Sequence, residues 1–305
     1  MDISSLMAAL PGAIGQGILW GVMALGIYTT YRILNISDLT VDGSFATGGC
    51  VAAVCLVNGL NPLLSLLVAM IAGILAGGIT GFLHTRCEIP AILAGILTQL
   101  GLYSINLRIM GRSNLPLLKI DTLFTKGQAL LPLPSQYVTI IIGVILIVII
   151  VCLNYCFLGT EIGCAVRATG NNDKMVRSLG VNTKTTKMIG FMLANGLVAL
   201  SGALVAQSQG YADIKQGTGA IVIGLASIII GEVVFGRVGS YMYRLSSVVI
   251  GSILYRVVVA VVLQMGLSTD DLKLLTAVLV AIALTIPVMI EKHNQKKRYK
   301  MSMEG

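Results

Sequence analysis

A succession of long, almost uncharged apolar runs fixes what this chain can fold into. Nine runs, at about 12–31, 44–60, 63–83, 90–109, 137–158, 188–207, 218–235, 246–264 and 274–290, are separated by polar stretches. A bilayer core takes roughly 20 apolar residues per crossing helix, and the runs match that length. They are continuous rather than alternating, which argues for helices and against barrel strands. Charged residues make up 11% of the chain, where a soluble domain carries about 25%. The expected fold is all-α: a polytopic membrane helix bundle of about nine spans. The run at 44–60 is short and rich in small residues (Ala46, Gly48, Gly49, Ala52, Ala53). It is expected to be a broken or re-entrant helix, tolerated only where protein or a water-filled cavity satisfies the freed backbone.

Orientation follows the Lys and Arg bias of the loops. With the C-terminus inside, fourteen of the 21 basic residues fall on the inner face, six on the outer face, and Arg256 within a span. Nine spans then put the N-terminus outside, in keeping with the lack of Lys or Arg before Arg32. A secretory signal needs a positive start, so the first run reads as a permanent span. The weak point is the outer stretch 110–136, which holds four of the six outer cations. The expected organisation is a membrane domain over 1–290, with an inner loop at 159–187, and a basic tail over 291–305. The net charge of +8 lies beside spans, which suits anionic lipid headgroups and excludes a nucleic-acid partner.

The six cysteines are scattered, and Cys152 and Cys156, one turn apart, have no His or carboxylate beside them. They read as small buried residues rather than metal ligands. Gly73, Gly77 and Gly81, and likewise Gly17 and Gly21, make ladders that let helix backbones approach closely, in the bundle or at a dimer face.

The segment Glu161–Lys187 is the most unusual polar stretch. Two short helices are expected, 163–169 stopping at Gly170 and 174–179 stopping at Gly180. Asn171, Asn172 and Asp173 are N-cap candidates between them, and Gly180 is placed for a left-handed C-cap. Met175, Val176 and Leu179 are expected on one face, with Lys174 and Arg177 on the rest. This face can lie on lipid or fill a groove on a soluble partner. The plug is short, doubly capped and free of Trp and Phe anchors, which favours the groove. No Gly-x-x-x-x-Gly-Lys-Ser/Thr phosphate loop occurs in the chain, so a nucleotide-driven engine must be a separate protein.

Several polar residues are candidates for a solute pathway. Asp38 and Asp42 flank a turn before the second span, with Thr40 and Ser44 able to bond freed backbone. They mark either an inner mouth or a simple helix cap by Asp42 or Ser44. Asn195 and Gln207 lie on the span that continues the polar loop. Arg256 falls mid-span, where a charge costs about 2.5–3.5 kcal/mol even on the mild scale. It can hold a substrate carboxylate, pair with Glu232, or be satisfied by backbone carbonyls at a dimer face.

The residues Glu161-Ile-Gly-Cys-Ala-Val-Arg-Ala-Thr-Gly-Asn-Asn and Ser178-Leu-Gly-Val-Asn resemble the coupling loop of ATP-binding-cassette (ABC) permeases of the branched-chain amino acid and ribose group. Ile36-Ser-Asp-Leu-Thr-Val-Asp-Gly-Ser-Phe resembles the entry to that group's second span. With Gly224-Leu-Ala-Ser-Ile-Ile-Ile-Gly-Glu, the chain is most similar to the tryptophan/tyrosine-type permeases, over roughly 12–290. The resemblance implies a permease subunit of a binding-protein-dependent importer in the bacterial plasma membrane. It implies three protein partners: cytoplasmic ATPase subunits, a substrate-binding protein outside, and a second permease copy. No cofactor would be bound by this chain, ATP and Mg belonging to the ATPase. The coupling residues would be Glu161, Gly163, Arg167, Gly170, Asn172, Asp173, Met175, Val176, Leu179 and Gly180. Two other classes compete. An ion-coupled secondary transporter would need an intramembrane acid, for which Glu232 is the one candidate. A membrane enzyme would need a clustered nucleophile and base or metal ligands, and no such cluster is present in the sequence.

Overall fold

The computed structural model describes residues 3–130, 133–236 and 240–264, together with scattered positions between Leu274 and Thr285. Eleven α-helices are described: α1 Ile3–Tyr28, α2 Thr40–Val57, α3 Pro62–Thr85, α4 Ala91–Met110, α5 Leu123–Leu130, α6 Ser135–Gly159, α7 Glu161–Asn171, α8 Asp173–Ser178, α9 Thr183–Gln209, α10 Ala220–Phe235 and α11 Tyr241–Gln264. Eight segments, on α1 to α4, α6 and α9 to α11, are long and apolar enough to cross a membrane. The ninth run and the tail lie mostly or wholly outside the described residues; the described positions between Leu274 and Thr285 are helical. The expected all-α membrane bundle is therefore present, with one small addition. Two three-residue strands, β1 Asn114–Pro116 and β2 Tyr211–Asp213, pair antiparallel with Leu115 opposite Ala212.

The bundle is layered around α9. α2 and α9 are 72% buried across their apolar windows, against 28% for α4 and α6, so the first pair is central and the second faces lipid. Small residues allow this. A Cβ on Gly48 of α2 would fall on the carbonyl of Ala199, and one on Gly202 of α9 would fall on the carbonyl of Phe45. The α3 ladder uses the same close approach: Gly73 and Gly77 meet the α9 backbone at Asn195 and Phe191, and a Cβ at Gly81 would lie 3.0 Å from Met188 Cγ. At Gly17 a Cβ would lie 2.7 Å from Ile253 Cα on α11. Both ladders therefore pack the bundle from within the chain.

The expected break in the second span is misplaced by one segment. α2 is an unbroken helix of 18 residues, about 27 Å long, and its small residues face α9 instead of a cavity. The discontinuity precedes it. α1 ends in a π-helical turn, Thr29–Ile33, and residues 34–39 belong to no helix, with Asn35 at φ +55°. Hydroxyls take up the carbonyls that the wider turn loosens: Thr29 Oγ1 donates to Leu25 O at 3.1 Å and Thr30 Oγ1 to Ile27 O at 3.1 Å.

Between α4 and α6, the described residues 111–130 are folded back on the bundle. The β1–β2 ribbon ties them to the end of α9. A satellite core of Cys50, Leu56, Met110, Leu115, Leu117, Ala212 and Ile214 lies under it. Cys50 is buried as expected, but Cys152 and Cys156 are exposed on α6, which turns much of its surface outward, and Cys87 after α3 and Cys164 on α7 are exposed in the connecting segments.

Candidate functional site

The polar loop between α6 and α9 is a rigid mount. Thr160 caps α7, its Oγ1 accepting from Gly163 N at 3.2 Å, and Glu161 sits exposed in the first turn, where a carboxylate complements the helix dipole. α7 does not stop at Gly170 as expected; it runs on to Asn171. Gly170 instead lets α7 press against the break after α1: a Cβ there would fall on Ile33 O and lie 2.7 Å from Leu34 Cα. Gly163 does the same at the end of α6, 2.5 Å from Leu158 Cα. The turn falls at Asn172 (φ −155°), whose Oδ1 accepts from Met175 N at 3.1 Å and caps α8.

α8 closes with the two crossed bonds of a Schellman end. Gly180 N donates to Arg177 O at 3.0 Å and Val181 N to Val176 O at 3.3 Å. Gly180 holds φ +86°, a region that costs an ordinary L-residue about 1–2 kcal/mol and a β-branched one more. Gly180→Val is therefore expected to fray α8 with membrane insertion unchanged. Hydrogen exchange of 173–181 in the inserted protein checks this; wild-type protection in the variant would refute the capped plug.

The expected single apolar face of α8 is divided. Val176 points inward and is 2% exposed, whereas Met175 and Leu179, one turn apart, are 47% and 72% exposed. Residue 176 lies about 100° around the helix from 175, so one contact anchors the plug and the other two are presented. The mount is tied to α9 by Thr169 Oγ1 to Thr186 Oγ1 at 2.8 Å and by Lys187 Nζ to Asp173 Oδ2 at 2.9 Å. Arg167 ties it to α6, donating from Nη1 to Leu158 O at 3.2 Å, and lies 5.5 Å from the Tyr241 ring centroid of α11.

Burial opposes the charged form of Asp173, but the hydrogen bonds from Lys187 and Thr183 and the charges of Lys187 and Arg177 outweigh it and hold its carboxyl below the ordinary value. A depressed carboxyl stabilises the fold fully above its unfolded pKa, about 3.9, and loses that contribution as pH falls through the folded value. Hydrogen-exchange protection of 173–181, corrected for intrinsic rates, should thus be flat from pH 7 to about 5 and fall only below about 4. Loss of protection near pH 6 would contradict the Asp173 tether.

The pathway candidates are drawn into two clusters and one stack. Asp38, 2% exposed, accepts from Thr40 N at 2.9 Å on Oδ1 and from Asn195 Nδ2 at 2.7 Å on Oδ2. Asn195 also accepts from Ser44 Oγ at 2.7 Å and donates to Phe191 O at 3.0 Å. Thr40 Oγ1 lies 2.7 Å from Thr80 Oγ1, which donates to Thr98 Oγ1 at 3.0 Å. The break is thereby stitched to α2, α3, α4 and α9. Asp42 and Ser44 do not cap their own helix, as one reading expected. Asp42 caps α10 across the bundle, accepting from Gly219 N at 2.8 Å and Ile221 N at 2.9 Å.

Gln207 lies at the opposite end of α9. It accepts from Leu123 N at 2.9 Å and donates to Ser65 Oγ at 3.0 Å and Pro62 O at 3.2 Å. It latches the stretch between α4 and α5 and forms part of the wall of a cavity of about 710 Å³ with Gln16, Lys119, Asp121 and Gln136.

Arg256 does not meet Glu232. Glu232 is bonded to Arg32, and the Arg256 guanidinium lies 4.0 Å from the Trp20 ring centroid, a desolvated cation–π contact that offsets part of the burial cost. Trp20 stacks in turn on Phe45 at 4.8 Å. Arg32–Glu232, Thr169–Thr186 and the π turn are parts of the site that sequence reasoning missed. The position of Arg32, next to the break, was the only signal.

An all-helical membrane bundle with a stiff, capped handle between two of its spans is the build of a transport permease. The family model described as "Branched-chain amino acid transport system / permease component" matches residues 9–288, and the chain belongs to that family. It is 36% identical over 293 residues to a "Tyrosine transport system permease protein" of Clostridioides difficile (strain R20291), covering 95% of this chain and 96% of that one. It is 28% identical to the "Autoinducer 2 import system permease protein LsrC" of Escherichia coli (strain K12 / DH10B), covering 75% of this chain and 69% of the relative. Among solved structures it is similar to "PsaBC from Streptococcus pneumoniae in complex with Fab", with TM-score 0.54 and 16% identity over 92% of this chain and 95% of that one, a likeness of fold. The chain is thus a multi-pass ABC-importer permease, a transport component rather than an enzyme.

Proposed function

We propose that this permease moves an amino acid, of the aromatic class, inward by alternating access powered by separate cytoplasmic ATPase subunits that hold ATP and Mg. A substrate-binding protein outside delivers the cargo, and a second copy of this chain completes the pathway. The N-terminus is outside, the loop 159–187 and the tail 291–305 are inside, and residues 1–290 form the permease domain. The amino-acid class rests on the tyrosine system named for the relative.

The observation that carries this reading is the exposed Met175–Leu179 pair on a plug whose other side is anchored. An apolar pair presented by a capped helix suits a groove on another protein, and its mount touches α1, α6, α9 and α11, so a pull on α8 reaches the spans. In this proposal Asp38, Thr40, Asp42 and Asn195 hold the inner mouth, Gln207 the outer end, and Arg256 leaves the Trp20 ring to meet a substrate carboxylate. ATP and loaded binding protein shift the equilibrium only through different affinities for the two states. The ion-coupled alternative gains nothing here, since Glu232 is bonded to Arg32.

Purification of the tagged chain from its native membrane tests this. A cytoplasmic ATPase should co-purify, and uptake into vesicles should need ATP. Transport by the chain alone, driven by an ion gradient, would overturn it.

A further inference from the structure

We infer that the loop end of the bundle carries a site for a phosphate-bearing anion, held by Arg32, Arg167 and Arg244. The three arginines come from separate elements: the π turn after α1, α7, and the first turn of α11. All three line one cavity of about 360 Å³. An adjoining cavity of about 140 Å³ shares Arg32, Arg244 and Tyr28 and reaches Glu232.

Among the described residues, the cavity walls contain one carboxylate, Glu232, and it is bonded to Arg32. The lining therefore keeps two positive charges in excess. Among the described residues, neither Arg167 nor Arg244 takes part in an ion pair. Two buried donors there also lack hydrogen-bond partners, Arg32 Nε and the Tyr241 hydroxyl. Guanidinium groups without a carboxylate partner, beside orphaned donors, form a receptor for an oxygen-rich anion. The planar guanidinium fork matches phosphate oxygens two at a time.

The surroundings point to a phospholipid headgroup as the source. Val233 and Val234 at the end of α10 and Met242 and Tyr243 at the start of α11 are 44%, 58%, 37% and 42% exposed. They flank Gly236 and Arg244 of the cavity walls in sequence and offer acyl chains an apolar surface beside the charge. Anionic headgroups are drawn to such basic juxtamembrane clusters. An anion spanning Arg167 and Arg244 would pin α7 to α11 and so stiffen the proposed handle. The binding site itself does not depend on the importer reading, and a binding readout tests it separately.

Delipidated full-length chain in neutral detergent is followed by thermal unfolding during titration with phosphatidylglycerol, phosphatidylcholine or inorganic phosphate. Phosphatidylglycerol should stabilise the chain saturably and phosphatidylcholine should not. The Arg167→Gln/Arg244→Gln variant should bind phosphatidylglycerol about a hundredfold more weakly, roughly tenfold for each charged hydrogen-bonding group removed. If inorganic phosphate saturates the same arginine-dependent site, the site stands and its ligand is a soluble anion. Equal effects of the two lipids, or unaltered phosphatidylglycerol affinity in the variant, would overturn the proposal. Should the double variant fail to fold, Arg244→Gln, at an exposed position, carries the same comparison.

Discussion

Replacing Met175 and Leu179 together by aspartate is expected to abolish retention of the ATPase and ATP-driven uptake, while the permease stays folded and inserted. Both side chains are already exposed, at 47% and 72%, so removing them takes nothing from the interior. Exposed substitutions of this kind stay within about 0.5 kcal/mol of neutral for stability. Docking is another matter. A central apolar anchor in an interface is worth about 2 kcal/mol or more, roughly 30-fold in affinity for each residue. Burying a new carboxylate in the partner's groove adds a desolvation cost. The two readouts separate the explanations. Thermal stability of the variant should match the parent, and co-purified ATPase should fall by two orders of magnitude or more. Undiminished ATPase and uptake would mean that α8 is not the docking element. Val176→Asp gives the contrasting control. That side chain is 2% exposed, so its variant should lose stability along with docking.

The spans were legible because lipid imposes a one-dimensional rule on sequence. A run near 20 apolar residues leaves little freedom, and eight helices lie where the runs are. The caps of α8 were legible for a similar reason, since Asn172 and Gly180 act on backbone groups within four residues of themselves. What could not be read depends on distant chain. Gly170 looks like a helix stop until Ile33 and Leu34 are seen against it, and then it is a contact made by the lack of a side chain. The small residues of α2 suggested a broken helix, yet they match the small residues of α9, which lie about 150 positions later. Asp42 caps a helix that begins at Ala220, and Glu232 takes Arg32 rather than Arg256. No local pattern encodes such pairings. Short-range chemistry fixed the handle, and long-range packing decided what the handle is bolted to.

Asn195→Leu is expected to be among the most damaging single substitutions in the bundle. Leucine keeps the branching of asparagine at Cγ and suits a buried helix but is larger. An overpacking cost of about 1–3 kcal/mol is therefore carried by the single and the double variant alike, and the difference between them reads the polar contact. If the asparagine were ordinary interhelical glue, each lost bond would be worth about 0.6 kcal/mol in a membrane protein. The geometry predicts more. Asn195 is fully buried, and its Nδ2 is the donor for Asp38 Oδ2 at 2.7 Å. Thr40 N donates to the other oxygen, so both neighbours treat the Asp38 carboxyl as an acceptor. Taking one donor away leaves that oxygen buried without a partner, and Ser44 loses its acceptor as well. Stranding one half of a buried ionised pair costs about 3–5 kcal/mol; with a neutral donor lost, about 3 kcal/mol is expected here, the full desolvation penalty of an acidic group. The companion experiment is the double variant Asp38→Leu/Asn195→Leu. Removing both polar partners costs far less than stranding one, so the double should regain much of the stability that the single loses. Unfolding of the detergent-solubilised chain for parent, both singles and double closes the cycle. A single Asn195→Leu cost near 1 kcal/mol, with no recovery in the double, would match glue and would deny Asp38 its dependence on this one side chain. A recovery of 2 kcal/mol or more would establish that the break between α1 and α2 is held by a carboxyl group whose Oδ2 depends on α9, which makes α9 an element through which a pull on the loop would reach the break.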